Sequence, residues 1–156
     1  MNNLLTGAVA GTVATVPMTI FWEVMHERMT GEPPRPLPPR EVAEALVVKA
    51  GVSRQFSETE MEWLSMALHF GYGALTGAVY GTIAPRHAGG GIFAGALFGL
   101  GVWTASYLGW LPAAGVRHSP RYDMPARTRL ILSSHLLWGA ATGLLLGARP
   151  RSSGRI

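Results

Sequence analysis

The sequence predicts an all-α, polytopic membrane protein: one domain over residues 1–156, with four transmembrane helices arranged as two repeated hairpins and a short amphipathic helix at the interface in the first loop. Three observations carry that prediction: where the charges fall, how the glycines are spaced, and an ungapped match between two of the helices. The chain is 48% hydrophobic and only 14% charged, too apolar and too charge-poor for an ordinary soluble domain. Its 13 basic and 9 acidic residues leave Leu4 to Trp22, Trp63 to Ala84, His87 to Pro112 and Leu130 to Ala148 without any charge.

Crossing a hydrocarbon core of about 30 Å takes about 20 apolar residues at about 1.5 Å each, so the charge-free stretches give spans at 4–22, 63–84, 88–112 and 130–148. A central charge would cost ~2.5 to 3.5 kcal/mol on insertion. A compact soluble bundle is the competing reading, and the glycines count against it. Gly73, Gly77, Gly81, Gly91, Gly95, Gly99, Gly139, Gly143 and Gly147 would each weaken a helix in water by about 1 kcal/mol relative to Ala, whereas helices in lipid use glycine for close packing.

The elements follow in order. Helix 1 has no basic residue before it and no cleavage site before Glu23, so it reads as retained and not as a secretion signal. Pro17 is expected to kink it, and the polar stretch Glu23, His26, Glu27, Arg28 ends it. Gly31 to Arg40 carries five prolines, GEPPRPLPPR, and reads as an extended connector. Residues 40–50 then place Val42, Ala45, Leu46 and Lys49 at helical spacing, too short to cross a bilayer and therefore interfacial. Ser57 with Glu60 reads as a capping box opening helix 2. The short connection Pro85 to Gly90 makes helices 2 and 3 antiparallel neighbours. Trp110 suits the headgroup level at the end of helix 3, a polar loop from Ala113 to Thr128 follows, and helix 4 leads into the basic tail RPRSSGRI.

Helix 2 contains HFGYGALTGAVYG from His69, and helix 4 contains HLLWGAATGLLLG from His135, an ungapped match at an offset of 66 residues (His69 to His135). Helices 1 and 3 match through GAVAG and GIFAG at an offset of 84 (Gly7 to Gly91). A duplicated hairpin follows, its copies related by a two-fold axis along the membrane normal.

In a duplicated hairpin, His69 and His135 lie at similar depth. An ionisable residue inside a membrane normally faces the protein interior and marks a functional site; the plainer role for each is a neutral imidazole hydrogen-bonding a neighbouring helix. Glu23, His26 and Glu27 lie near the mouth of that site, half of a carboxylate metal site or simply a solvated helix end. Arg40 and Arg121 are candidates for steering an anion towards it. No cofactor is required by any motif, although haem or a metal held by His69 and His135 is an alternative. No phosphate loop, nucleophile elbow or HExxH pattern occurs, which argues against an enzyme. The absence of cysteine excludes thiol chemistry, and the net charge of +4 is explained by arginines beside lipid headgroups, with no nucleic-acid partner needed.

The layout resembles the YagU-like inner-membrane proteins of bacteria: a glycine-rich first helix, a Pro-Pro-Arg loop (Pro38, Pro39, Arg40), a second helix opening at His69, a GxxAG third helix (Gly91 to Gly95), and a fourth opening with His135, Leu136 and Trp138. The resemblance implies a four-span protein of the bacterial inner membrane whose molecular function is not established, with a link to acid tolerance and termini in the cytoplasm. The count of basic residues, nine on the face of the two larger loops against four on the terminal face, predicts the opposite orientation. The functional expectations are proton or small-ion transport or sensing at the paired histidines; alternatively, an accessory subunit docking a larger membrane complex, with the glycine faces serving self-association or a membrane-protein partner.

Overall fold

A computed structural model of the chain describes residues 2–33, 36–84 and 91–147, and every regular element among them is helical. They are α1 (Asn3–Thr30), α2 (Pro38–Lys49), α3 (Glu58–Ile83), α4 (Gly91–Ala113) and α5 (Pro125–Gly147). The connection Pro85 to Gly90, the tail from 148 on and Arg35 lie outside the described residues.

Local chemistry sets the boundaries. The Asn2 side chain accepts the Leu4 N–H to open α1, and Gly31 closes it in the left-handed conformation at φ 69°. The helix runs unbroken through Pro17. Pro38 and Pro39 occupy the first turn of α2, so the proline connector is shorter than its composition predicts: a proline at the start of a helix forfeits an N–H that would have no partner there anyway. Ser57 and Glu60 form the expected capping box, each side chain bonded to the other's backbone N–H. Both hydrogen bonds from Ser57 to the Glu60 carboxylate, the hydroxyl's first and the backbone's second, hold its pKa below the ordinary glutamate value. Over Thr104–Trp110, α4 widens into a π-helical stretch, with Gly109 outside helical geometry at φ −106°, ψ −105°.

Among the described residues three helices, α1, α4 and α5, are long and apolar enough to cross a membrane. The charge-free stretches predict four. Although α3 has 26 residues, His69, Tyr72, Tyr80 and its glycines dilute the apolar residues of its uncharged part, and it does not reach the same hydropathy.

Packing is inverted relative to a soluble bundle. Along the seams small residues lie inside, with Trp22, Leu111, Leu130, Ile131 and Trp138 buried beside them, while Val9, Val13, Val16 and Ile20 of α1, Leu75, Val79 and Ile83 of α3, and Phe93 and Leu97 of α4 are exposed. Inside, α1 and α3 run antiparallel with their backbones in contact. A Cβ on Gly77 would sit 2.7 Å from the Gly11 Cα, and one on Gly81 2.9 Å from the Gly7 Cα. A second seam joins α4 and α5: a Cβ on Gly95 would meet the Gly143 Cα at 2.9 Å, and one on Gly99 the Gly139 Cα at 3.1 Å. Gly73 packs on Thr15, and Gly91 on Gly143. Only Gly147 of the nine singled out in the sequence would meet nothing. The glycine faces are thus turned towards helices of the same chain.

Helices α1 and α5 also pack along each other, whereas the backbones of α3 and α4 barely approach. The spatial order is therefore α3, α1, α5, α4, with a gap between the two outer helices. A two-fold axis exchanging the hairpins would turn the α1–α5 contact into an α4–α3 contact of equal closeness, so the hairpins do not obey it. Side chains bridge the gap instead: the Tyr72 hydroxyl lies 2.8 Å from that of Ser106, and the rings of Tyr80 and Phe98 are 4.8 Å apart.

Candidate functional site

The gap between α3 and α4 holds a cavity of about 180 Å³. Its floor comes from α1 and α5 through Thr15, Thr19, His135 and Trp138, and its sides from α3 and α4 through His69, Tyr72, Ser106 and Tyr107. The widened turn of α4 directs Ser106, Tyr107, Trp110 and Leu111 to the same wall. Across the loop end lies α2, contributing Pro38, Pro39, Val42 and Leu46. Two wall residues, Leu46 and Trp110, are themselves exposed and mark the mouth. Most of the wall is hydrocarbon or aromatic.

Both histidines singled out in the sequence reach this cavity. Hydrogen bonding fixes the tautomer of each. The Nδ1 of His135 lies 2.8 Å from the Ile131 carbonyl; a carbonyl only accepts, so Nδ1 carries the proton and Nε2 keeps a lone pair. The Nε2 of His69 lies 3.1 Å from the Thr19 hydroxyl, and that hydroxyl sends its single proton to the Thr15 carbonyl at 2.9 Å. His69 Nε2 is then the donor, and its Nδ1 keeps the lone pair. Among the described residues neither lone pair has a hydrogen-bond partner.

The other sequence candidates are placed elsewhere. His26 is buried at 3% exposure beside Trp22, with ring centroids 5.3 Å apart and neither ring nitrogen hydrogen-bonded, and it does not line the cavity. Glu23 and Glu27 point outwards on the exposed side of α1, so the three do not converge on one centre. Arg40 is tied to Glu44 at 2.5 Å and to Glu58 at 2.7 Å, and these two carboxylates raise its pKa further. Arg121 lies over the Tyr122 ring, 4.8 Å from its centre. Neither arginine enters the cavity.

A charge network that the sequence did not single out holds α2 in place. Arg117, 7% exposed, binds Glu41 at 3.2 Å and Asp123 at 2.9 Å, and Arg127 pairs with Glu41 as well. The Arg117 guanidinium also sits 5.1 Å from the centre of the Tyr107 ring, a cavity wall residue. These bonds join α2, the last loop and the start of α5 around one carboxylate. The sequence held one signal for it, Glu41 and Glu44 at the start of a helix whose neighbouring loops are rich in arginine.

The description of one family, a protein of unknown function (DUF1440), matches residues 13–143 of the chain. The chain belongs to that family. The match runs from the middle of α1 to the last turn of α5, so it takes in every element lining the cavity. No curated protein and no solved structure matches the chain.

Proposed function

We propose that this chain is a four-span membrane protein, YagU-like in layout and resident in the bacterial inner membrane, that binds a small, largely apolar molecule in the cavity between α3 and α4 instead of transforming it. The observation that carries the reading is a mostly apolar cavity lined by two imidazoles, each of which keeps a lone pair without a partner among the described residues. An ion entering such walls would exchange its water for hydrocarbon and aromatic carbon at a cost of several kcal/mol, on the order of the penalty for unpaired buried charge. A neutral ligand pays no such penalty, so binding or sensing of a membrane-soluble molecule is favoured over ion passage.

Helix α3 crosses with the others in this reading. Leu75, Val79 and Ile83 leave its outer face apolar and exposed, and its inner face is locked to α1 backbone against backbone through Gly73, Gly77 and Gly81. The matching spacing of the two glycine seams supports descent from one duplicated hairpin.

Two experiments test this. The chain has no cysteine, so single cysteines at Gln55 and Thr82, which bracket the length of α3, report its topology to a membrane-impermeant maleimide on sealed vesicles. Labelling from opposite sides is expected, and labelling from one side removes the fourth span. Benzene titrated against the purified protein in nanodiscs, read by tryptophan fluorescence against empty nanodiscs, is expected to bind saturably in wild type and not in Thr76→Phe, whose ring fills the cavity. Absence of saturable binding in wild type removes the binding role.

A further inference from the structure

We infer that the cavity recognises the hydroxyl of a neutral, single-ring aromatic compound, a phenol or hydroquinone, as a hydrogen-bond donor to His135 Nε2, with His69 Nδ1 left to accept from a second hydroxyl; this rests on the binding role proposed above. The inference follows from three features of the site that do not depend on each other: which hydrogen-bonding valences are free, how much space there is, and what the walls are made of.

Each of the two imidazoles presents a free acceptor. Each imidazole has committed its proton, His135 to the Ile131 carbonyl at 2.8 Å and His69 to the Thr19 hydroxyl at 3.1 Å. Of the other polar wall groups several are committed, while among the described residues the Trp22 indole N–H and the Tyr107 hydroxyl have no partner and one proton of the Tyr72–Ser106 pair is left over. Thr15 and Ser134 donate to carbonyls of their own helices, Gly11 at 2.9 Å and Leu130 at 2.8 Å, and the hydroxyls of Tyr72 and Ser106 are paired at 2.8 Å. A ligand that offers only acceptors, such as a ketone, an ether or a quinone, can meet the free donors of the wall but leaves both imidazole lone pairs unmatched. Buried polar groups left unmatched discriminate strongly. A ligand that brings its own O–H completes an acceptor that would otherwise stay empty in a low-dielectric site.

The space selects one ring. A cavity of about 180 Å³ is comparable with the engineered cavity of ~150 Å³ that takes up benzene, and it lies below the ~300 to 1,000 Å³ of pockets for drug-sized ligands. A porphyrin does not fit, which argues against haem at this histidine pair. The walls suit an aromatic face, because Trp22, Tyr72, Tyr107, Trp110 and Trp138 surround the space and offset or edge contacts between rings are favourable beyond simple burial. The exposed Leu46 and Trp110 at the mouth let an alkyl substituent leave the cavity along apolar surface.

The test compares 4-propylphenol with 4-propylanisole, which share the ring and tail and differ in the donated proton. Both are titrated into the protein in nanodiscs, with empty nanodiscs correcting for partition into lipid. The phenol is expected to bind at least tenfold more tightly than the ether, a difference of about 1.4 kcal/mol, and His135→Phe, which removes the acceptor of its one proton, is expected to shrink that ratio. Equal affinity of phenol and ether in wild type overturns the donor assignment, and it leaves the cavity's binding role standing if benzene binds. Failure of all three probes removes both. Zn²⁺ is the third arm: tight, histidine-dependent Zn²⁺ binding with no phenol preference assigns the lone pairs to a metal and overturns the inference. The wild-type comparison decides the matter even if a histidine variant does not fold.

Discussion

The two hairpins are alike inside and unlike where they meet. Within each, a glycine seam brings the backbones together at the same spacing: Gly77 against Gly11 in the first, Gly143 against Gly95 in the second, related by the 66- and 84-residue offsets of the sequence. Between them the likeness ends, since α1 lies along α5 while α3 and α4 stand apart. The histidines show the same divergence in miniature. His69 donates to Thr19 on the neighbouring helix; at the equivalent position of the second hairpin stands Trp103, which has no hydroxyl, and His135 donates to its own helix at Ile131. The glycine seams make each hairpin a rigid unit, and the asymmetric join between units leaves room for a cavity that a symmetric join would close.

Closing either seam to small residues is the most damaging change expected. Gly77→Leu or Gly143→Leu puts a branched side chain where a single Cβ would already clash with backbone, 2.7 Å from the Gly11 Cα in the first seam and 3.1 Å from the Gly95 Cα in the second. Losses upwards of ~3 kcal/mol are expected, read as loss of a monodisperse species in detergent. If one variant is silent while the other is not, the seams are not equivalent. Gly147→Leu, whose Cβ meets nothing, is the control expected to behave as wild type.

Next in size is the anchor of α2. Glu41→Gln deprives both Arg117 and Arg127 of a carboxylate partner. The expected loss is about 1 to 2 kcal/mol, below the full cost of breaking a buried pair because Glu41 is 39% exposed, and thermal unfolding in detergent measures it. Because Glu41 belongs to the first hairpin and Arg117 and Arg127 to the second, this loss falls on the join between the hairpins and on neither seam.

Smaller changes separate the two histidines. Thr19→Val removes the acceptor of the His69 proton and frees that ring to turn, while His135 keeps its bond to Ile131. About 1 kcal/mol is expected, and nitrogen-15 chemical shifts of the imidazoles should show a mixture of tautomers at His69 with none at His135. A single unchanged tautomer at both positions contradicts the partner assigned to His69. The smallest effect is expected at the capping box. With its pKa held below the ordinary glutamate value of 4.5, Glu60 stabilises the start of α3 above that value, and the contribution fades as pH falls through the lowered value. The protection factors of the first-turn amides of α3, which correct for the intrinsic pH dependence of exchange, should fall on acidification in wild type and be low at all pH in Ser57→Ala.

Much of this was legible in the sequence, and what was not had a common cause. Charge-free stretches, glycine spacing and the Ser57–Glu60 box are local patterns, so the helices, the seam positions and the start of α3 could be read directly. The proline run misled because Pro38 and Pro39 break a helix in its interior but open one at its first turn. The gap between α3 and α4 depends on how two finished hairpins dock, which no periodicity within a helix encodes. The pairing of Glu41 with Arg117 and Arg127 joins residues more than seventy positions apart, and only the acidic start of α2 between arginine-rich loops hinted at it. His69 and His135 were found by being ionisable in uncharged stretches, but their tautomers required knowing which hydroxyl or carbonyl each one faces.

The asymmetric join is tested most directly by two distances that a symmetric join makes equal. In the cysteine-free chain, spin labels at Val13 and Leu145 span α1 and α5, and labels at the equivalent Leu97 and Val79 span α4 and α3; all four positions are exposed. Pulsed electron resonance in nanodiscs is expected to give two distinct distances, the α3–α4 distance the longer. Equal distances would contradict the gap and, with it, the cavity.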